Sequence, residues 1–380
     1  MKRIKKITAA LMALVIMVSA TACSADKSWA MKNDSLTTPI GVYIYYLYAA
    51  YQSAQSKVTD TTKPLLEQQI EGKSAETWIK NKALDYTKML FVVNDKMKEL
   101  KLSLTTDETK SISDTTDSQW DQASATLEKY GVSKSSYNLA YSDYYTKYQK
   151  IFTATYGKGG TKEVSDADLK TYFEKNYTDF SFIAAPLYKT DTSGNYTAFT
   201  AAETAAVKKE LDGYTADITS GKKTLQQAAD AFKASSKQTT DQLNNATVAL
   251  GSDTSYPVEL KTLLGSMKNG EVKAAEVSGT YLIVMKNDIT KKTGEQLNNE
   301  SGRNAVIVEM KGTEYSDEME KAAEAYKNVT LNQKAIDSYN PAMFVAPASS
   351  AAATSSAAVA SAAAPSTAAS AAASSAAASK

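Results

Sequence analysis

Ile40, Ile44, Leu47, Tyr51 and Ala54 recur at alternating spacings of four and three, which draws one face of a helix. Tyr43, Tyr46 and Tyr48 widen that face, and Thr38-Pro39 reads as an N-cap followed by proline at the first helical position. A second helix is predicted from near Ser74, with Ile79, Ala83, Tyr86, Leu90, Val93, Met97 and Leu100 on one stripe. That seam runs about three heptads and needs partners along its length. Thr105 with Glu108 forms a capping box for a third helix ending at Gly131. A fourth carries Tyr137, Tyr141, Tyr144, Tyr148, Ile151 and Thr155 up to the Gly157–Gly160 breaker. Residues 38–156 therefore read as wholly helical.

Beyond the glycines the period changes. Ser165 and Asp168 cap a short helix, and Phe180 to Tyr188 reads as a strand whose Pro186 marks an edge or an exit. Thr200 and Glu203 make another capping box, ahead of a helix faced by Val207, Leu211, Tyr214 and Ile218. Thr224 opens a second helix through Leu225, Ala228 and Phe232, and a third runs from about Pro257 to Lys268 with Leu260, Leu263, Leu264 and Met267 inward. Asn269-Gly270 turns into Glu271 to Val277, and Ser278-Gly279 turns into Thr280 to Lys286, an apolar run suited to burial on both faces. The predicted order is strand, three helices, then two strands. Helix resumes from about Glu295 to Ser338, with a break around Asn328, and stops at Asn340-Pro341. From Ala346 the chain is almost entirely Ala, Ser, Thr and Pro, a composition with nothing bulky to bury and expected to be disordered.

The first residues change the picture of where the chain works. Lys2, Arg3, Lys5 and Lys6 precede an apolar run from Ile7 to Met17, and small residues lead into Ala20-Thr21-Ala22-Cys23. This is the layout of a secretory signal peptide, and the apolar run is shorter than the roughly 20 residues a spanning helix needs. Cleavage before a cysteine resembles the lipobox pattern, with Ala20 where leucine is usual. Cys23 is the only cysteine in 380 residues, so it has no disulfide partner within the chain, and lipid attachment is the expected fate of its thiol. The chain is thus expected at the outer face of a cytoplasmic membrane, held by its N-terminal lipid.

Charge and composition exclude several chemistries. Loss of the four leader cations leaves 39 basic against 42 acidic side chains, with no surplus to neutralise the phosphates of a nucleic acid. There is no histidine, which removes a Ser-His-Asp triad, a Cys-His pair and nearly all imidazole metal sites. It also removes the side chain that most often moves protons near neutral pH. No cofactor or metal is implied. Gly72-Lys73-Ser74 ends like a phosphate loop, but Glu67 stands where the leading glycine is required, so no nucleotide is expected. Asp107-Glu108 opens a helix and Asp317-Glu318 sits on an exposed helix face, both ordinary places for carboxylates. The 23 tyrosines against 8 phenylalanines suit adaptable peptide contacts, although core packing is the better account for most of them.

Three stretches carry a family resemblance. Val164-Ser165-Asp166-Ala167-Asp168-Leu169-Lys170-Thr171-Tyr172-Phe173 resembles the helix leading into a parvulin domain, and Thr224 to Lys233 resembles that domain's second helix. Ser266-Met267-Lys268-Asn269-Gly270-Glu271-Val272, followed by Gly279-Thr280-Tyr281-Leu282-Ile283-Val284, resembles the family's serine-methionine-lysine-x-glycine-glutamate-valine segment and its closing strand. Residues 20–340 as a whole resemble the PrsA and SurA class of extracytoplasmic foldases, with a parvulin (PpiC-type) peptidyl-prolyl isomerase domain. The resemblance implies an α+β fold: a mostly helical chaperone module made by the N- and C-terminal segments, with a small parvulin-like α/β domain inserted. The expected divisions are 1–22 signal peptide, 23–37 linker, 38–160 N-terminal helical region, 161–178 connecting helix, 179–290 parvulin-like domain, 291–341 C-terminal helices packing on the N-terminal region, and 342–380 tail.

The isomerase chemistry departs from the family. The resemblance places its two pocket histidines near Ala184 and at Leu282, and its methionine and phenylalanine near Tyr256 and Leu260. The glycine-rich loop ahead of them is reduced to Ala249-Leu250-Gly251-Ser252. Ala184, Leu250, Tyr256, Leu260 and Leu282 are accordingly the candidate peptide-binding residues, and no catalytic residue is assigned. The implied function is that of a foldase or chaperone binding unfolded, newly exported polypeptides. Two other readings stay open: an active prolyl isomerase in which Tyr256 and nearby hydroxyls supply polar contacts, and a solute-binding lipoprotein, which would need strand-helix alternation in two lobes. Whether the chain forms a homodimer is open as well.

Overall fold

The computed structural model describes residues 28–345 except 192. The leader, Cys23 and the Ala/Ser-rich tail lie outside the described residues. In chain order the elements are β1 (Trp29–Lys32), β2 (Thr37–Pro39), α1 (Ile40–Lys57), β3 (Gln69–Ile70), β4 (Lys73–Ser74), α2 (Ala75–Glu99) and α3 (Thr106–Leu127). A helix then runs as α4 (Lys134–Tyr137), a wide π-type stretch over Asn138–Asp143, and α5 (Tyr144–Tyr156), before α6 (Asp166–Asn176). Next come β5 (Tyr177–Pro186), β6 (Tyr188–Thr190), β7 (Tyr196–Ala198), α7 (Ala201–Thr219), α8 (Leu225–Ser235), β8 (Asn244–Ala249) and α9 (Val258–Ser266). The run closes with β9 (Val272–Val277), β10 (Thr280–Lys286), α10 (Thr293–Asn298), α11 (Glu300–Glu324), β11 (Thr330–Leu331) and α12 (Gln333–Asp337). The fold is α+β. Its described residues group into two units, one of 28–95, 103–146 and 322–345, the other of 96–102 and 147–321.

The first unit is organised around α1. Every residue from Ile40 to Tyr51 is buried, so the one-faced helix expected from its spacing is instead enclosed all round. The tyrosines that widened its stripe are core. Tyr45 meets Tyr137 edge-on at 5.6 Å, and Tyr46 donates to the Ala140 carbonyl at 2.7 Å. Around the wide turn, Asn138 donates to the Thr116 hydroxyl at 2.7 Å and that hydroxyl donates to Ser142 at 2.8 Å. Phe344 closes the unit from the C-terminal side among Tyr48, Tyr51 and Tyr130.

Several expectations for this unit are corrected. The 23–37 linker contains β1, whose Ala30 and Met31 are fully buried, and β1 pairs with β2 on one side and β11 on the other. Residues 38–156 are not wholly helical, because β2 enters this stretch and β3 and β4 form a two-stranded hairpin. Thr38 does not cap α1: its hydroxyl accepts from the Met31 amide at 3.1 Å and donates to the Met31 carbonyl at 3.0 Å, leaving Pro39 at the N-cap. The break near Asn328 holds the short strand β11. The Thr105–Glu108 capping box and the left-handed Gly131 after α3 are present as their residue types require.

In the second unit, β8-β5-β10-β9 form a four-stranded sheet with every neighbouring pair antiparallel. The predicted order lacked β8 and the β6–β7 hairpin. Asn244-Asn245 opens β8 with weak strand formers, which hid it. Pro186 ends β5, which pairs on both sides, so the proline marks an exit and not an edge. Ser278 and Gly279 both take positive φ, the backbone a tight turn between β9 and β10 requires. The capping boxes at Thr200–Glu203 and Thr224–Gln227 start α7 and α8. Residues 147–156 of the N-terminal region and 291–321 of the C-terminal helices group in this second unit, where the Tyr315 hydroxyl of α11 donates to the Tyr148 carbonyl of α5 at 3.0 Å, and residues 322–345 group with the first.

Tyr46→Phe keeps the ring of a fully enclosed side chain and removes its donor to Ala140. Urea unfolding followed by circular dichroism is expected to show a loss of about 1–2 kcal/mol; an unchanged midpoint contradicts the assigned hydrogen bond.

Candidate functional site

The sheet of the second unit presents two apolar faces because strand side chains alternate. On one, Phe180, Phe182 and Ala184 of β5 join Ala246 and Val248 of β8, Leu282 and Val284 of β10, and the inward side of α9. On the other, Ile183, Ala185 and Ile283 pack against Leu211 of α7 and Ala228, Ala229 and Phe232 of α8.

All five candidate pocket residues come together on the first face. Ala184 lies directly opposite Leu282 across the β5–β10 ladder, and Ala275 of β9 lies opposite Leu282 on its other side. Leu260 of α9 and Leu282 are buried, whereas Ala184, Leu250 and Tyr256 are partly buried against the same cluster. Tyr256 stands edge-on to Phe180 at 5.5 Å, and Phe182 stacks on Phe180 at the same separation. The positions assigned to the two imidazoles are therefore cross-strand neighbours, filled here by a methyl and an isobutyl group. Burial raises the Tyr256 phenol above its usual value, with Asp253 adding to the effect, so it stays protonated and can only donate or accept a hydrogen bond.

Two groups escaped sequence reasoning. Phe182 is partly buried beside Ala184, and only its parity with Phe180 signalled it. Behind the sheet, a chain of polar groups spans three strands. Asn287, just past β10, donates to Ser181 at 3.0 Å; Ser181 donates to Asn245 of β8 at 2.6 Å; and Thr247 donates to the Asp179 carboxylate at 2.7 Å. Asp179 and Ser181 are both buried, so these bonds satisfy groups that would otherwise be costly. The chain fastens β8 to β5.

What the first face can do is physical, not covalent. An apolar row with an aromatic edge can desolvate a peptide group. Rotation about an amide meets a barrier of about 18–20 kcal/mol set by resonance, and no side chain here relays a proton. Among the described residues no cluster of metal-ligating side chains occurs, and no helix is long and apolar enough to cross a membrane.

No family model and no curated protein matches the chain. Among solved structures it is similar to the foldase protein PrsA of Lactococcus lactis, with 19% identity and a TM-score of 0.34 over 82% of this chain and 97% of that one. It is also similar to PrsA of Streptococcus pneumoniae, at 13% identity and a TM-score of 0.36 over 74% and 97% of the two chains. PrsA of Bacillus subtilis follows at 17% identity and a TM-score of 0.24 over 61% and 84%.

Perturbed side chains among the described residues move away from neutrality in both directions. Burial, then a hydrogen bond to Asp212, pushes Tyr281 up to about 12; the Lys189 ammonium and the Thr200 amide hold Glu203 down at about 2. A depressed carboxylate contributes stability that is present above its unfolded value and lost as pH falls. A raised phenol contributes stability that is present below its unfolded value and lost as pH rises. With no imidazole between them, the urea midpoint is expected to stay flat from about pH 5.5 to about pH 8.5, falling outside that window. A sloping midpoint between pH 6 and 8 contradicts this electrostatic account.

Proposed function

We propose that the protein is a lipid-anchored extracytoplasmic foldase that holds non-native exported polypeptides, using a parvulin-like framework whose imidazoles have been replaced by apolar side chains. The observation that carries this reading is the placement of Ala184 opposite Leu282, within one apolar cluster with Leu250, Tyr256 and Leu260. A pocket of that make-up favours retention of apolar segments through desolvation and offers little to a transition state. The leader and the lone Cys23 support tethering at the outer face of the cytoplasmic membrane, where newly exported chains emerge. The strands of the first unit form an antiparallel three-stranded sheet and a two-stranded hairpin, which does not support the repeated strand-helix lobes of a solute binder.

Two outcomes follow. The purified full chain at several-fold molar excess is expected to suppress light scattering from a denatured client diluted out of guanidinium, without nucleotide. Unchanged scattering counts against a chaperone role. In cells, Cys23→Ala is expected to move the protein from the membrane fraction to the soluble exported fraction; continued sedimentation with membranes contradicts the lipid anchor.

A further inference from the structure

Asn269-Gly270 is the single place in the sequence where asparagine precedes glycine. The pair has a chemistry of its own. Glycine lacks Cβ, so nothing shields its backbone nitrogen from the side chain before it. Once deprotonated, the Gly270 nitrogen attacks Asn269 Cγ; a C–N bond forms and the side-chain nitrogen leaves as ammonia. Water then opens the cyclic imide at either carbonyl, giving Asp or its β-linked isomer. The sequence of steps consumes water alone and needs no cofactor.

The structure sets this pair in the turn Lys268–Glu271, between α9 and β9. Asn269 and Gly270 are both exposed, and Gly270 has φ +80°. Several bonds hold the turn shut. The Glu271 amide donates to the Lys268 carbonyl at 3.0 Å, and the Lys268 amide donates to the Glu271 carboxylate at 2.7 Å. The Gly270 amide, whose proton must leave, donates to the Lys286 carbonyl of β10 at 2.7 Å. Lys286 also fastens the end of α9, because its ammonium donates to the carbonyls of Leu264 at 2.9 Å and Met267 at 3.0 Å. We infer that Asn269 is a self-modification site gated by this turn: the closed turn withholds the Gly270 nitrogen, and opening releases it for attack. The product is not silent. Asn269 Nδ2 approaches the Asp288 carboxylate at 3.5 Å, and that carboxylate also accepts from the amide and hydroxyl of Thr290 at 3.1 and 2.8 Å. Conversion turns a donor into a second carboxylate facing Asp288. The β-linked isomer also adds a methylene to the backbone, which shifts Gly270 out of register with Lys286. Molecules whose turn has opened are thus marked irreversibly. This assignment is independent of the foldase reading.

The test is peptide mapping of the full chain after incubation at mildly alkaline pH, following the mass gain that accompanies exchange of NH2 for OH at residue 269. Fragmentation spectra separate Asp from its β-linked isomer. Conversion is expected to be about tenfold slower in native buffer than in unfolding guanidinium, the protection a hydrogen bond on the attacking nitrogen supplies. Lys286→Met keeps the aliphatic stem and frees the end of α9, so its rate should fall between the two. Asn269→Gln should lose the signal. Asn269→Asp is expected to lower the urea midpoint at low salt, with Asp288→Asn restoring it. Equal rates in folded and unfolded chains overturn the gate. Absence of conversion in the unfolded chain overturns the site. An Asn269→Asp midpoint equal to that of the unsubstituted chain overturns the effect assigned to the product. If Lys286→Met fails to fold by circular dichroism, the two arms with the unsubstituted chain still decide the gate.

Discussion

The pairing of β5 with β10 is the constraint on which the second unit depends. Seven residue pairs run in unbroken register, from Thr280 opposite Pro186 to Lys286 opposite Phe180. That register decides which side chains meet α9 and which meet α7 and α8. A slip of one residue would carry Phe180, Ala184, Leu282 and Val284 to the wrong face together. The register is pinned by polar bonds. Asn287, just past β10, donates to Ser181 of β5, and the Ser181–Asn245 and Asp179–Thr247 bonds pin β8 to β5. Both faces are apolar and covered, so the choice between them rests on the fit of side chains against α9 on one and α7 and α8 on the other. The facing of Ala184 and Leu282 is thus a consequence of the ladder and needs no further device.

The first unit solves a different problem. A helix buried on every side has no polar face on which to place hydroxyls, yet α1 carries several tyrosines. Tyr45 and Tyr46 are accommodated by ring contacts and by the bond from Tyr46 to Ala140, within a wide helical turn that itself needs the Thr116–Ser142 pair, whereas the Tyr43 hydroxyl is buried without a hydrogen-bond partner among the described residues. The tyrosine richness of the chain is therefore largely a property of its core. The proposed holding surface lies where apolar side chains are only partly covered, as at Ala184, Leu250 and Tyr256.

Local chemistry in the sequence made much of this legible. Caps at Thr105, Ser165, Thr200 and Thr224 act over one turn, and each begins a helix as its residue type requires. The Ser278-Gly279 turn and the apolar run of β10 were equally plain. What was hidden is what depends on partners distant in sequence. β1 is recognisable only once β11 and β2 flank it, and β8 begins with asparagines whose strand character comes from Ser181 and Phe182 across the ladder. The five candidate residues could be named from resemblance, but their convergence required the ladder and α9.

The chain combines a sheet that sets two cross-strand positions face to face with side chains there that cannot handle protons. Prolyl bonds relax unaided over tens to hundreds of seconds, so even weak catalysis is measurable. A protease-free assay of a proline peptide, following cis-to-trans relaxation by nuclear magnetic resonance with the full chain in excess, asks the question directly. Relaxation close to the uncatalysed rate, with the peptide bound, agrees with the proposed holding surface. Rapid turnover at substoichiometric protein contradicts it.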